Sequence, residues 1–251
     1  MKMNEAALDP NLGIEANYHS PFGPKFLDFF LKGPIREKLK EIVNHHRAAS
    51  PPIEGLAQIT DEPWTCGLSS GRLEHISKKI DDEEFDGFAG NTVSKLIKAY
   101  VTNYIELSDA QKENGITHDQ LFSYFPTAIW WNALSNGDFW MLHDHKDETI
   151  EMISTSSNGN LSGNIYLEVP RVLDYPQGWI TWYFGGNKEN MSKHNYTLRP
   201  EEGKVYMWPS WVEHSVNPIN NFHTEDNKGR ICLSFNGYWK KRTEKDPPAP
   251  K

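Results

Sequence analysis

The sequence predicts a mainly β protein, a sandwich or barrel of the jelly-roll kind, with a helical region ahead of it. Two patterns carry that expectation. From about Leu121 onward, short aromatic and β-branched runs recur with Gly, Pro and Asn between them; before that point the apolar residues fall at helical spacing. The composition suits a globular chain: of 251 residues, 37% are hydrophobic and 24% are charged, with a formal net charge of -8. That length fits one large domain, or one domain with an appendage.

Residues 1–120 read as mostly helical. In "GPKFLDFFLKGPIREKLKEIVNHHR", Phe26, Phe29, Phe30, Ile35, Leu39 and Ile42 lie near helical spacing, with a break at Gly33 and Pro34. In "NTVSKLIKAYVTNYIELSD", Val93, Leu96, Ile97, Tyr100, Val101 and Tyr104 continue the theme, and Asn91 offers an N-cap. His45 and His46 end the first helix on a basic last turn, where favourable charge at a helix end outweighs metal binding as an explanation.

Residues 121–242 read as the β core. Its strands are "SYFPTAIWWNAL", "FWMLHDH", "GNIYLEV", "GWITWYF", "KVYMWPS" and "RICLSFNGYW". No internal repeat is present. The tail, 243–251, ends in the proline-rich "DPPAPK" and reads as disordered.

Several classes of function fall away. No run of about eighteen apolar residues exists to span a membrane. The N-terminal "MKMNEAALDP" lacks the apolar core of a secretory signal. Cys66 and Cys232 lie far apart in no zinc or redox pattern, so they read as reduced, buried thiols and the expected location is cytoplasmic. The acidic balance argues against a nucleic-acid groove, and the basic "WKKRTEK" reads as a solvated end.

The stretch "NGDFWMLHDHKDE" concentrates metal-ligand chemistry. On a strand, alternate side chains share a face, so His143 and His145 point one way and Asp144 the other. A third ligand has to come from a distant strand, and His214 in "MWPSWVEHSVNP" follows a proline-marked turn. Among ten histidines, a single buried one is more often a satisfied core residue than a ligand. Two on one strand face, beside acidic neighbours, are costly to bury without a purpose. A rival pairs His145 with Asp147, since "HKD" fits the His-x-Asp of a two-histidine, one-carboxylate site and makes His143 a bystander.

Four ordered segments, carrying five motifs, add a resemblance. "WNALSNGDFWMLHDH", "LSGNIYLEVP", "EEGKVYMWPSWVEHSVNP" and "GRICLSFNGYW" carry a Trp-x-Asn start, a His-x-His pair, a Ser-Gly-x-x-Tyr-Leu strand, a Pro-Ser-Trp-x-x-His turn and an Arg...Ser-Phe-Asn strand. Together, from Trp130 to Asn236, they resemble the prolyl-hydroxylase-like 2-oxoglutarate and iron(II) dependent oxygenases of marine bacteria and their phages. The resemblance implies a double-stranded β-helix, with the helical N-terminal region packed outside it. It also implies iron(II), 2-oxoglutarate and dioxygen as cofactors. The six positions from Gly137 to His143 match the family's register. His145 then stands where these enzymes usually carry Asp or Glu, and the implied ligands are His143, His145 and His214. A cupin pattern is also present: Gly137, His143 and His145 with Glu148 or Glu151, then Gly203, Pro209 and His214. Both families share the fold but not the function.

The resemblance further implies a cation to hold the far carboxylate of 2-oxoglutarate, a task that suits arginine's planar fork. Arg230 opens the strand "RICLSFN", and alternation puts Arg230, Cys232, Ser234 and Asn236 on one face. The bland alternative is an arginine at the strand mouth paired with Asp226 or Glu225. Tyr166 and Asn132 are the expected helpers, each offering a polar tip. The loops "KDETIEMISTSSNGN" and "NNFHTEDNKG" and the aromatic hairpin "QGWITWYFGG" are expected at the substrate entrance, although Trp179, Trp182 and Tyr183 serve equally well as core.

The sequence therefore reads as an iron(II) and 2-oxoglutarate dependent dioxygenase acting on a small molecule or a peptidyl side chain, with release of succinate and carbon dioxide. Two other readings stand beside it: a three-histidine cupin enzyme without 2-oxoglutarate, such as a thiol dioxygenase or isomerase, and a non-enzymatic metal-binding jelly roll.

Overall fold

The computed structural model describes residues 4–5, 8–19, 24–49, 65–66, 69–72, 83–134, 138–145, 158–170, 174–183, 195–219 and 229–243. The elements run β1 (Asn4–Glu5), β2 (Gly13–His19), β3 (Phe26–Leu31), α1 (Gly33–Ala49), β4 (Thr65–Cys66), β5 (Ser69–Arg72) and α2 (Glu83–Tyr104). Then come α3 (Asp109–Glu113), α4 (His118–Leu121), β6 (Phe122–Leu134), β7 (Phe139–His143), β8 (Asn158–Glu168) and β9 (Ile180–Tyr183). The last are β10 (Asn195–Leu198), β11 (Lys204–Pro209), β12 (Glu213–Val216) and β13 (Arg230–Lys241).

Two antiparallel sheets form, in the orders β1-β2-β3-β11-β8-β13-β6-β5 and β10-β9-β12-β7-β4. Their facing sides meet in an aromatic core. Phe26, Tyr166, Tyr206 and Trp208 come from the large sheet, and Ile180, Trp182 and Val216 come from the small one. The outer side of the large sheet, with Phe29, Ile165, Met207, Leu233 and Phe235, is covered by Leu39 and Val43 of α1 and by Val93, Leu96, Ile97 and Tyr100 of α2. The architecture is a mainly β jelly roll with helices packed on one outer face. Among the described residues, no helix is long and apolar enough to cross a membrane.

All six strands expected after Leu121 form. The expectation for the chain before residue 120 needs correction, because β1 to β5 fall there and β2 and β3 extend the large sheet. Phe26, Phe29 and Phe30 belong to a strand, not a helix. In "FLDFFL", Phe26 faces the inter-sheet core and Phe29 faces the helices, so both faces of the strand are buried. A short apolar run buried on both faces carries no period that separates strand from helix. The break at Gly33 and Pro34 is the start of α1, where proline's missing N–H costs nothing. The basic residues of its last turn are His46 and Arg47, where His45 and His46 were expected. Asn91 is not a cap; α2 begins at Glu83 and carries Asn91 in its interior. The helix continues through it because Ala89, Val93, Leu96 and Ile97 are packed against the sheet, and tertiary burial outweighs local propensity. The expected disordered end "DPPAPK" lies outside the described residues.

One glycine sets how closely the large sheet packs. Gly163 of β8 pairs with Phe235 of β13 on one side and Met207 of β11 on the other. A Cβ there would collide with the Phe235 ring. Gly163→Val is expected to cost about 1–3 kcal/mol, as overpacking generally does, seen as a lower urea midpoint with unchanged slope. A wild-type midpoint would show that the ring turns aside freely.

Candidate metal centre

His143 is the last residue of β7 and pairs directly with His214 of β12. The pairing slips by one residue between His214 and Val216, so Ser215 faces both Met141 and Leu142. Without that bulge, Trp140 and His143, three residues apart, would point to opposite faces. With it, their rings lie on the same side, 5.5 Å apart, while Met141 and Leu142 are turned out to solvent. His145 lies just past the strand's end, where its backbone N–H donates to the Ser210 carbonyl at 3.0 Å. The expectation that His143 and His145 converge holds, although only His143 is on the strand.

The three rings converge, with centroids 4.3 Å apart for His143 and His214, 4.9 Å for His145 and His214, and 5.0 Å for His143 and His145. One nitrogen from each lies within 4.8 Å of the others. Nε2 of His145 is 3.3 Å from Nε2 of His214. Two nitrogens each about 2.1 Å from a shared ion subtend about 100° at that 3.3 Å spacing, an ordinary coordination angle.

Backbone carbonyls set two of the tautomers. Nδ1 of His143 lies 2.7 Å from the Met141 carbonyl, and Nδ1 of His214 lies 3.1 Å from that of Val212. A carbonyl only accepts, so each Nδ1 carries the hydrogen and each Nε2 offers a lone pair. Burial, then the neighbouring His143, pushes His145 down to about 3. Burial and both other histidines hold His214 well below the ordinary range. Near neutral pH these two imidazoles are uncharged, the form that binds metals.

The polar residues predicted beside the metal also share the inner face of the large sheet. Arg230 is 1% exposed. Its Nη1 donates to the Gly178 carbonyl at 2.6 Å, and its guanidinium carbon sits 5.3 Å from the centre of the Tyr166 ring. Its Nε has no partner, and it makes no ion pair among the described residues. Among the described residues, the buried Tyr166 hydroxyl completes no hydrogen bond of normal geometry, with the Asn164 side chain beside it. Asn132 Nδ2 donates to Ser234 Oγ at 2.8 Å, and Ser234 Oγ donates to Asn164 Oδ1 at 2.7 Å. Asn132 Oδ1 is left over. Three buried polar groups are therefore incomplete on one face, and buried polar groups are normally satisfied.

Sequence reasoning missed Asn164, two residues before Tyr166 and on the same face by simple alternation. It also missed Trp130, whose ring stacks on His145 at 5.5 Å and 22°. In the hairpin, Trp182 is core, while Tyr183 is exposed. Cys232 is a buried free thiol, as expected. Gly137, the rival ligand Asp147, the cupin residues Glu148 and Glu151, and the alternative arginine partners Glu225 and Asp226 lie outside the described residues.

Residues 128–236 match the family model described as "Putative 2OG-Fe(II) oxygenase". No curated protein sequence matches the chain. AviO1 from Streptomyces viridochromogenes is 13% identical, with 90% of this chain and 92% of that one covered at a TM-score of 0.50. SnoK, a non-heme alpha-ketoglutarate dependent carbocyclase from nogalamycin biosynthesis, is 11% identical, covering 85% and 79% at a TM-score of 0.50. A prolyl-4-hydroxylase from Pseudomonas putida is 14% identical, covering 87% and 93% at a TM-score of 0.46. The likeness to AviO1 and SnoK is one of fold.

The histidine environment makes the metal-free protein acid-sensitive. An unfolded His145 takes up a proton near 6.5, whereas the folded one resists until about 3. Stability is therefore full above 6.5 and is lost progressively as pH falls towards 3. His145→Gln is expected to flatten part of that slope in a denaturant series at several pH values. An unchanged slope would show that His145 is not held neutral.

Proposed function

We propose, from the match of residues 128–236 to the 2-oxoglutarate and iron(II) oxygenase family model, that the protein is a dioxygenase that hydroxylates a small molecule or a peptidyl side chain, releasing succinate and carbon dioxide. One observation carries this reading beyond the domain match. A buried arginine with no counter-ion among the described residues lies on the same inner face as a cluster of three histidines.

The donor set suits iron. His143 and His214 present Nε2 lone pairs, fixed by the Met141 and Val212 carbonyls, and His145 faces the same point. Burying a guanidinium with an empty Nε is expensive unless an anion completes it. The far carboxylate of 2-oxoglutarate is that anion, with the Tyr166 hydroxyl and Asn132 Oδ1 within the same polar strip. Along β13, Arg230 and Ser234 are four positions apart, about 13 Å of strand, and Trp130, which pairs with Ser234, stacks on His145. The arginine side chain and a five-carbon diacid together fill a span of that size. A cupin enzyme or a metal-binding jelly roll has no use for this cation, so Arg230 favours the oxygenase.

When bound, iron(II) and 2-oxoglutarate supply the oxidising chemistry: dioxygen is reduced, 2-oxoglutarate becomes succinate and carbon dioxide, and one oxygen atom goes to the substrate. The chain's own residues do the rest. The histidines hold the ion and, being neutral, leave its charge uncompensated. Arg230 orients the cosubstrate by its far end. The aromatic wall of Trp182, Trp208 and Tyr206 keeps the inner face dry, which strengthens each of these polar contacts.

Anaerobic titration of the iron-loaded protein with 2-oxoglutarate tests the reading directly. A visible charge-transfer band, and succinate release once air is admitted, are expected; iron binding without either would return the protein to the cupin class. His143→Ala, His145→Ala and His214→Ala should each abolish stoichiometric iron, Asp147→Ala should not, and His145→Asp should keep it. Metal lost in Asp147→Ala but kept in His143→Ala would reverse the ligand assignment.

Arg230→Ala should weaken 2-oxoglutarate by roughly thirty-fold or more, the equivalent of about 2–5 kcal/mol, with iron affinity nearly unchanged. Lysine should rescue only in part, because it lacks the bidentate fork. Arg199→Ala, at an exposed position outside the site, is the control and should behave like wild type. Equal sensitivity of the two arginines would remove the anchor.

A further inference from the structure

We propose that Trp130 and Asn236 are the positioning residues of His145, doing for it what backbone carbonyls do for the other two histidines. This rests on the reading that the three histidines hold iron.

A carboxylate in the middle ligand slot is forgiving, because either oxygen serves and no tautomer has to be chosen. An imidazole in that slot is not. It must present Nε2 with a bare lone pair, which requires the hydrogen on Nδ1, and its plane must face the ion. His143 and His214 meet both demands through the Met141 and Val212 carbonyls. His145 lies beyond the end of β7, and among the described residues no backbone carbonyl bonds its ring.

Two side chains on the inner face of the large sheet stand in. The His145 ring is nearly parallel to two others, at 22° to Trp130 and 15° to His214. Trp130 is held in register by its partner Ser234 on β13, so its indole is a fixed plate against which the imidazole lies.

Asn236 is two residues further along β13. There the pairing with β6 slips, matching Asn236 to Ala128 and Gly237 to Pro126, so Thr127 is left unpaired. Such a bulge re-aims the neighbouring side chain and is common beside functional sites. Asn236 Oδ1 accepts a hydrogen bond from Ser162 Oγ at 2.8 Å. That bond fixes the amide and leaves the oxygen a second lone pair. Asn236 shares the inward face of β13 with Ser234, the partner of Trp130, so its amide lies on the side of the sheet where His145 stacks. In the proposed arrangement Ser162 fixes the Asn236 amide, and Asn236 Oδ1 accepts from Nδ1–H of His145, which leaves Nε2 for the ion.

Cobalt(II) titration of the metal-free protein, following its visible spectrum, separates positioning from mere packing. Each variant is first shown to fold by circular dichroism, and His145→Ala is the reference. Asn236→Leu should bind cobalt roughly 10–100-fold more weakly, as loss of a ligand's outer partner generally does. Asn236→Asp should bind at least as tightly as wild type with a shifted spectrum, because an anionic acceptor makes the imidazole a stronger donor. Trp130→Leu should weaken binding and broaden the spectrum, and Trp130→Phe should restore most of both.

Wild-type affinity and spectrum in Asn236→Leu and Trp130→Leu, with binding lost in His145→Ala, would overturn the proposal and leave the metal site standing. Failure of Asn236→Asp to rescue would overturn the Asn236 arm. Unchanged binding in His145→Ala would instead sink the metal reading beneath it. If Trp130→Leu does not fold, the Asn236 pair and Trp130→Phe decide.

Discussion

Strand β13 is the constraint on which the rest depends. It is paired on both sides, with β6 and with β8, so its backbone is satisfied and its register is fixed along most of its length. Its alternation then assigns opposite tasks to neighbouring residues. Ile231, Leu233 and Phe235 face outward into the core beneath the helices. Arg230, Cys232, Ser234 and Asn236 face inward, towards the small sheet and the histidines. A shift of one position would bury the polar set under the helices and turn Phe235 into the site. The apolar core under the helices and the polar strip at the site therefore stabilise the same register.

The small sheet solves a different problem. Its strands are short, and it has to deliver two histidines from non-adjacent segments to one point. The direct pairing of His143 with His214 does most of this. The bulge opposite Ser215 does the remainder by bringing Trp140 and His143 to one side, at the expense of exposing Met141 and Leu142 at 44% and 49%. Among the described residues, register shifts occur at three places around the site: in β7 beside His143, in β6 opposite Asn236, and in β8 opposite Ile231 and Cys232.

Much of this was legible in the sequence. The six main strands announce themselves by aromatic and β-branched runs between turn residues, and period two alone places Arg230, Ser234 and Asn236 together. The convergence of His143, His145 and His214 was also readable, because two histidines one residue apart and a third after a proline turn are an uncommon pattern. The edge of the large sheet was not. "FLDFFL" is apolar on both faces and has no period to read, and the strand beside it, "GIEANYH", has no continuous apolar face. Bulges are invisible in composition, so the inward turn of Trp140 beside His143 had no signal. Trp130 was hidden for another reason. An aromatic residue on a strand looks like core, and only the stack on His145 shows that it faces the site.

On the proposed reading, with His143, His145 and His214 holding iron and Arg230 meeting 2-oxoglutarate, His145 in the place of a carboxylate changes the charge balance of the site as well as its geometry. A two-histidine, one-carboxylate site subtracts one unit from a divalent ion, and a three-histidine site subtracts none. With Arg230 adding one positive charge and 2-oxoglutarate two negative ones, the usual arrangement is neutral overall and this one is positive by one. A metal ion gains less from neutral ligands, so its affinity depends more on how well the imidazoles are oriented. The cosubstrate dianion gains more, because it meets an ion of undiminished charge in a buried setting where such interactions are weakly screened. On that reading, the orientation of His145 and the charge of Arg230, which has no ion pair among the described residues, are two halves of one arrangement. The first compensates the metal for the missing carboxylate, and the second lets the anion that binds next supply the negative charge the ligand set lacks.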